Sequence, residues 1–157
     1  MANPDYGFLY NNYLLTCPRR RHTHRLASGC SVRSNAAPIL VLADAADASL
    51  LALGAAGSRR IISSLVQVIS GRLDLGLTIS KALDRPRVHP LLRSGVWLER
   101  PAASAELVAS LQERYGAVEL RRRHSYSMGA VQALEVFSGG EMAGAADPRR
   151  EGTAARC

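Results

Sequence analysis

The feature that most constrains this chain is a strand–glycine–helix junction in its middle third. Residues 49–53 form an apolar run typical of a buried strand, and residues 54–58, all glycine, alanine or serine, predict a tight turn. Apolar residues then recur at helical spacing and predict a helix over 59–70. The first N–H groups of such a helix carry its positive dipole end and can bind a carboxylate, a phosphate or a reaction oxyanion. A packing turn without any chemistry fits the same residues.

The remaining patterns predict an α+β fold, with mixed sheets and helices on one face. Residues 38–53 and 128–145 each predict a hairpin, the second turning at Ser138-Gly139-Gly140. Two further helices are predicted at 78–84, with Thr78 as N-cap, and at 103–115, with Gly116 as C-cap. The helix at 103–115 is expected to line up its apolar residues on one side. Short strands are predicted at 6–15, 87–89, 96–99 and 117–120.

The composition suits a packed core and one domain over residues 1–157, because 47% of the residues are hydrophobic. Residues 16–37 are polar and rich in arginine, and predict a long loop. Residues 147–157 contain proline, glycine and arginine, and predict an irregular tail. No apolar run approaches the roughly 20 residues that a membrane-spanning helix needs. The first residues do not form a secretory signal, so localisation stays open.

The charge invites a nucleic-acid interpretation, since 20 basic residues outnumber 13 acidic ones and give a net charge of +7. Arginines cluster at 19–21 and at 121–123, but stacking aromatics are not interleaved with either cluster. A solvated surface therefore explains these arginines better than a nucleic-acid site, which remains the less favoured alternative.

No metal or cofactor is expected. Cys17, Cys30 and Cys157 lack the C-x-x-C spacing of a zinc or thioredoxin-like site, and His22 and His24 have no carboxylate nearby. The glycine turn lacks both the G-x-G-x-x-G pattern and the Lys-Ser/Thr pair, which excludes a Rossmann or P-loop nucleotide site.

Six segments in the same order resemble the gamma-glutamyltransferase (glutathione hydrolase) family, in addition to the glycine turn. They are residues 7–12, 34–38, 82–89, 129–133, 144–150 and 152–155. The resemblance implies the αββα sandwich of the N-terminal-nucleophile hydrolases. It also implies a precursor that cuts itself into two subunits, the smaller starting with a nucleophilic threonine that attacks the gamma-glutamyl carbonyl. The chain then corresponds to the later part of the small subunit, as an incomplete domain.

The resemblance also implies site residues. The family's oxyanion-hole glycines correspond to Gly57 and Ser58, whose main-chain N–H groups can both donate. The positions that match substrate-binding residues are Asn11, Asn12, Ser34, Asn35 and Arg60. Thr16 stands where relatives often have an acidic residue for the substrate ammonium group, so recognition of that group has to differ here.

The family's Thr-Thr-His-type nucleophile motif is not found among these residues, so we expect the chain to be inactive alone. Its predicted partners are the large-subunit portion of the same enzyme and a gamma-glutamyl small molecule. Without that portion, the strands at 39–42 and 50–53 should keep apolar faces uncovered. A non-catalytic remnant or binding module is the alternative.

Overall fold

The computed structural model describes Asp5 and residues 27–29, 31, 34–42, 49–91 and 95–155. The chain divides into two units, Met1–Asn35 and Ala36–Cys157, and the elements below all belong to the second. The strand predicted at 6–15 and most of the predicted loop at 16–37 lie outside the described residues.

An antiparallel four-stranded sheet forms the centre of the second unit. Its strands are β1 (Ile39–Leu42), β2 (Leu50–Ala56), β6 (Ala130–Val136) and β7 (Met142–Ala146), in the order β1-β2-β6-β7. Ile39 lies opposite Leu53, and Ala133 lies opposite Ala145, which confirms both predicted hairpins. The α+β architecture agrees with the sequence-based prediction.

Helices α1 (Ile61–Leu73) and α2 (Ile79–Asp84) cover one face of this sheet. The hydroxyl oxygen of Thr78 accepts a hydrogen bond from the N–H of Lys81, as predicted for an N-cap. The core between helices and sheet is built from aliphatic side chains: Leu51, Leu53, Ile61, Leu65, Val68, Ile79, Ala82, Leu83, Val131 and Ala133. None of the helices in the described residues is long and apolar enough to cross a membrane.

A second, three-stranded sheet contains β3 (Val88–Leu91), β4 (Gly95–Glu99) and β5 (Val118–Arg121), in that order. Helix α3 (Ala105–Tyr115) connects the parallel pair β4 and β5, with Ser104 as its N-cap and Gly116 (φ 84°) after its last turn. The predicted apolar side of this helix is only lightly covered, because Leu107 and Tyr115 are 40% and 56% exposed.

The predicted turn at 54–58 is wrong in its extent. Strand β2 continues to Ala56, because Gly54 and Ala56 pair with Gln132 and Ala130 of β6. The chain turns only at Gly57, and a 3₁₀ turn (Ser58–Arg60) precedes α1. Small residues are poor strand formers in isolation, but here the neighbouring strand holds them extended.

The opposite face of the four-stranded sheet, named here the open face, keeps large apolar side chains exposed among the described residues. Leu40, Ala52 and Leu134 lie side by side across β1, β2 and β6 on this face. Leu40 is 69% exposed, Leu42 74% and Met142 59%. A row of exposed apolar side chains is typical of an interaction surface.

Candidate active site

The candidate site begins at the turn from β2 into α1. Gly57 has φ 143° and Ser58 has φ 54°, so two successive residues adopt backbone conformations with positive φ. The carbonyl groups of Gly57 and Ser58 accept hydrogen bonds from the N–H groups of Arg60 and Ile61. In the described part of the chain, the N–H groups of residues 57 and 58 have no backbone acceptor in a turn or cap. Gly57 is half-buried and Ser58 is exposed.

Gly57 has to be glycine for a reason of packing as well as backbone conformation. A Cβ atom placed on Gly57 would lie 2.8 Å from the Cα atom of Gly129, which precedes β6. Gly129 itself has φ 79°, and its own Cβ would lie 3.1 Å from the hydroxyl of Ser64 and 3.2 Å from Cβ of Arg60. The two glycines bring the turn directly against the start of β6, which fixes its position.

Two adjacent serines hold the start of the helix. The hydroxyl groups of Ser63 and Ser64 donate to the carbonyl oxygen of Arg60, at 3.2 Å and 2.7 Å. The Ser63 hydroxyl also forms a 2.7 Å hydrogen bond with Nδ1 of His89 in β3. The junction is therefore tied to the second sheet through Ser63.

The side chain of Arg60 packs against Trp97 of β4, with its guanidinium carbon 4.7 Å from the ring centroid. The guanidinium carbon of Arg121 lies 4.1 Å from the same centroid. The indole N–H donates to Glu119 at 2.7 Å, and Arg121 forms a 2.8 Å ion pair with Glu119. The His89 ring lies 5.8 Å from the Trp97 ring. Two cations and one carboxylate thus surround a single half-buried indole.

Burial lowers the pKa of His89 below its ordinary value, and the positive charge of Arg60 lowers it further. His89 is therefore neutral at pH 7 and does not add to the charge of the two arginines. When the Ser63 hydroxyl donates to the carbonyl oxygen of Arg60, the His89 tautomer that fits is the one in which Nδ1–H donates to Ser63.

A buried ionic cluster is hydrogen-bonded to Gly129, the residue against which Gly57 packs. Arg87 donates to Asp147 at 2.6 Å and to the carbonyl oxygen of Gly129 at 3.1 Å. Arg149 contacts Glu99 at 2.5 Å and Asp147 at 3.1 Å, and it also donates to the carbonyl oxygens of two residues near the end of α2, Leu83 and Arg85. Burial lowers the pKa of Arg87, and the nearby Asp147 opposes that shift. Through Gly129, this cluster sets the position of the residue against which Gly57 packs.

Two cavities lie apart from the turn. One, of about 230 Å³, is lined by α1, α2 and Arg87. The other is a groove of about 430 Å³ on the sheet between Leu40, Leu134 and Thr153. The groove continues the open face.

Comparison with known proteins decides the family. The sequence model described as Gamma-glutamyltranspeptidase matches residues 1–157, the whole chain. The chain belongs to the gamma-glutamyltranspeptidase family. It is 32% identical over 158 residues to "Glutathione hydrolase 5 proenzyme" of Mus musculus, covering 97% of this chain and 27% of the relative. It is 28% identical over 116 residues to "Glutathione hydrolase proenzyme" of Escherichia coli (strain K12), covering 74% of this chain and 19% of the relative.

A solved structure supports the fold of this family member. The gamma-glutamyltranspeptidase from Pseudomonas nitroreducens complexed with L-DON has a TM-score of 0.82 at 23% identity, covering 100% of this chain and 86% of the matched one. The chain therefore has the fold of that structure, while it spans 19–27% of the length of the two curated relatives.

The site residues predicted from the family resemblance fall into three groups. Gly57, Ser58 and Arg60 come together at the turn described above. Ser34 and Asn35, exposed and half-buried, lie at the end of the unit Met1–Asn35. Asn11 and Asn12 lie outside the described residues.

Sequence reasoning missed the partners of the turn. Trp97, Arg121 and His89 come from three strand segments, and only their positions in the fold bring them to Arg60. For His89, Gly129 and Asp147 a signal existed, since all three lie in segments that carry the family resemblance.

Proposed function

We propose that this chain forms the oxyanion-binding and substrate-binding part of an enzyme that transfers or hydrolyses gamma-glutamyl groups. One observation carries the proposal: in a chain that matches its family from end to end, the N–H groups of half-buried Gly57 and exposed Ser58, at a strand–helix turn, have no backbone acceptor in a turn or cap among the described residues. The donors are the main-chain N–H groups of Gly57 and Ser58. A threonine nucleophile comes from another portion of the enzyme, so these residues do not turn over substrate alone.

The chemistry follows from the donors. When a threonine hydroxyl attacks the gamma-carbonyl carbon of a gamma-glutamyl amide, its proton passes to a base and the carbonyl oxygen becomes an oxyanion. The two N–H groups stabilise that charge, after which the C–N bond breaks and the amine leaves with a proton. Water or an amine then attacks the acyl-enzyme, which gives hydrolysis or transfer.

The substrate-binding role extends to side chains that match the family. Asn11, Asn12, Ser34 and Asn35 offer hydrogen-bonding groups of the kind that hold an amino-acid head group. Arg60 supplies a positive charge next to the turn, and no carboxylate within the described ranges pairs with it. We assign Arg60 to an anionic group of the substrate.

The partner portion covers the open face in this proposal. That face presents Leu40, Leu42, Leu134 and Met142 to solvent, each at least 41% exposed. A second sheet packed face to face would bury these side chains, as the αββα sandwich requires. The short span of the chain relative to its curated relatives supports the need for such a portion.

The test joins the chain to a complementary portion. The 157 residues are co-expressed with the large-subunit region and nucleophile segment of the Escherichia coli relative, and release of p-nitroaniline from gamma-glutamyl-p-nitroanilide is followed. We expect turnover by the assembly and none by the chain alone. Turnover by the isolated chain, or a correctly assembled but inert complex, would contradict the proposal.

A main-chain replacement then tests the donor directly. Incorporation of an α-hydroxy acid at position 58 replaces the N–H by an ester oxygen. The loss of one oxyanion donor should reduce kcat by roughly 100- to 1,000-fold. S58A, which keeps the N–H and loses only the hydroxyl, should stay within about threefold of wild type, and an ester at the exposed Gly139 serves as the backbone control. Equal effects of S58A and the ester at position 58 would assign the role to the side chain instead.

A further inference from the structure

The stacked arrangement around Trp97 has no role in the chemistry above. The guanidinium groups of Arg60 and Arg121 both lie within cation–π distance of the one indole, at 4.7 Å and 4.1 Å. Trp97 is the only tryptophan in the chain. Its ring is half-buried, so it can hold a cation at a surface that a ligand reaches.

The indole itself is held on several sides. Its N–H donates to Glu119, whose carboxylate also pairs with Arg121. On strand β3, His89 lies directly opposite Trp97 in the antiparallel register and limits the movement of the ring. Trp97 is therefore a firm support, and its orientation does not depend on Arg60.

Arg60 has no comparable support from charge. Arg121 has a carboxylate partner in Glu119, whereas Arg60 has none among the residues that the structure describes. Its Nε atom is buried and also without a hydrogen-bond partner there. The hydroxyl groups of Ser63 and Ser64 fix only its carbonyl oxygen. The contact with the indole is thus what determines where the guanidinium group lies.

We propose that Trp97 is a positioning residue that holds the Arg60 guanidinium for an anionic group of the substrate, with Glu119 and Arg121 holding Trp97 in turn. The inference rests on the proposed function, and it adds that Trp97, by positioning Arg60, affects the affinity for substrate. An aromatic face neutralises none of the charge of Arg60, so the cation stays available to a carboxylate. A carboxylate side chain in place of Trp97 would hold the arginine equally well but would compete with the substrate.

The first arm of the test uses the chain as it is and needs no turnover. Removal of the stacked arginine in R60A exposes the indole, so the acrylamide quenching constant of Trp97 fluorescence should rise about twofold. R59A removes the adjacent, exposed arginine and should leave quenching unchanged. Unchanged quenching in R60A would overturn the inference, because it would show that the two groups are not stacked in solution.

The second arm uses the assembled enzyme and gamma-glutamyl-p-nitroanilide. W97F keeps a weaker aromatic face and should raise KM about threefold, whereas W97L should raise it about tenfold, both with kcat within about twofold of wild type. Because Trp97 acts through Arg60, the double variant R60A/W97L should have the KM of R60A alone. If Trp97 had only a structural role, W97L would lower kcat and stability, and the KM of R60A/W97L would differ from that of R60A alone.

The outcomes separate the two proposals. Turnover with an unchanged KM in W97L, or KM effects of R60A and W97L that multiply, would overturn the positioning role while the proposed function stands. If a correctly assembled wild-type complex shows no turnover, the proposed function is lost. The quenching comparison between R60A and R59A then still decides whether Trp97 holds Arg60.

Discussion

The two arginine clusters of this molecule differ in how their charge is balanced. Arg87 and Arg149 are paired with Glu99 and Asp147, and the side chains of these four residues are at most 2% exposed. Arg60 and Arg121 instead share one indole, and only Arg121 pairs with a carboxylate, the exposed Glu119. The buried cluster has balanced charges, so it can hold parts of the fold together but leaves no charge free to bind a ligand. A surface cluster with surplus positive charge contributes little to stability and can bind an anion.

The largest expected effect comes from breaking the buried cluster. R149M leaves the buried Glu99 without its cation and Asp147 with Arg87 alone, which should lower the free energy of unfolding by about 3–5 kcal/mol. Urea denaturation of the chain measures this loss. R122M changes an exposed arginine and should stay within about 0.5 kcal/mol of wild type. Equal losses of unfolding free energy in the two variants would show that the buried cluster does not stabilise the fold.

A smaller loss of stability is expected at the contact between Gly57 and Gly129, which joins the candidate site to the buried cluster. G57A places a methyl group 2.8 Å from the Cα atom of Gly129 at a residue with φ 143°, which should cost about 1–3 kcal/mol of unfolding free energy. Gly54 is the matched control, because nothing lies within 4 Å of its Cβ position and its φ is not in the strained range. G54A unfolding at the same denaturant concentration as G57A would argue against the contact between the two glycines.

A substitution in the surface cluster should change substrate affinity more than stability, which is the opposite of the buried cluster. R60A removes a cation that pairs with no carboxylate in the described residues, so its unfolding free energy should fall by no more than about 1 kcal/mol. Its KM in the assembled enzyme should nevertheless rise by about tenfold or more. A loss of stability as large as that of R149M would remove the distinction between the two clusters.

The smallest expected effect is a dependence on pH. The folded state lowers the pKa of His89 below its ordinary value of 6.5, so the unfolded chain binds more protons just below that pH. The contribution of His89 to stability should therefore be constant above about pH 6.5 and decrease as the pH falls through the lowered pKa. Protonation would add a third positive charge beside Arg60 and Arg121.

Thermal unfolding between pH 7.5 and 5.5 measures this dependence. H89N keeps a polar group near the Ser63 hydroxyl but does not titrate, so its midpoint should vary less with pH than that of wild type. Identical pH profiles would show that His89 is not the group responsible.

The sequence predicted local structure well because caps and periodic apolar residues act over a few positions. Thr78 and Gly116 sit at the helix ends where their residue types favour them, and both hairpins form between runs that are close in the chain. The extent of β2 could not be predicted. Its last residues, glycine and alanine, have little preference of their own, and strand β6, about 75 residues away, decides their conformation.

The candidate site shows the same division. The local pattern predicts a tight turn at residues 54–58, whereas the choice of Gly57 and Ser58 as site residues came from the family resemblance. The contact of Trp97 with Arg60 depends on the packing of the second sheet against α1, and cation–π pairs leave no periodic pattern in a sequence. Asp147 and Arg149 lie in residues 147–157, which the sequence predicts to be an irregular tail. No local rule predicts that these two side chains are buried.

The buried cluster also affects the order in which the chain can fold. Arg87 and Glu99 are synthesised long before their partners, because 60 residues separate Arg87 from Asp147 and 50 separate Glu99 from Arg149. Until those later residues have left the ribosome, both early charges must stay hydrated, since neither can enter an apolar interior alone. The ion pairs of the buried cluster can therefore form only late in translation, after both sheets have been almost completely synthesised.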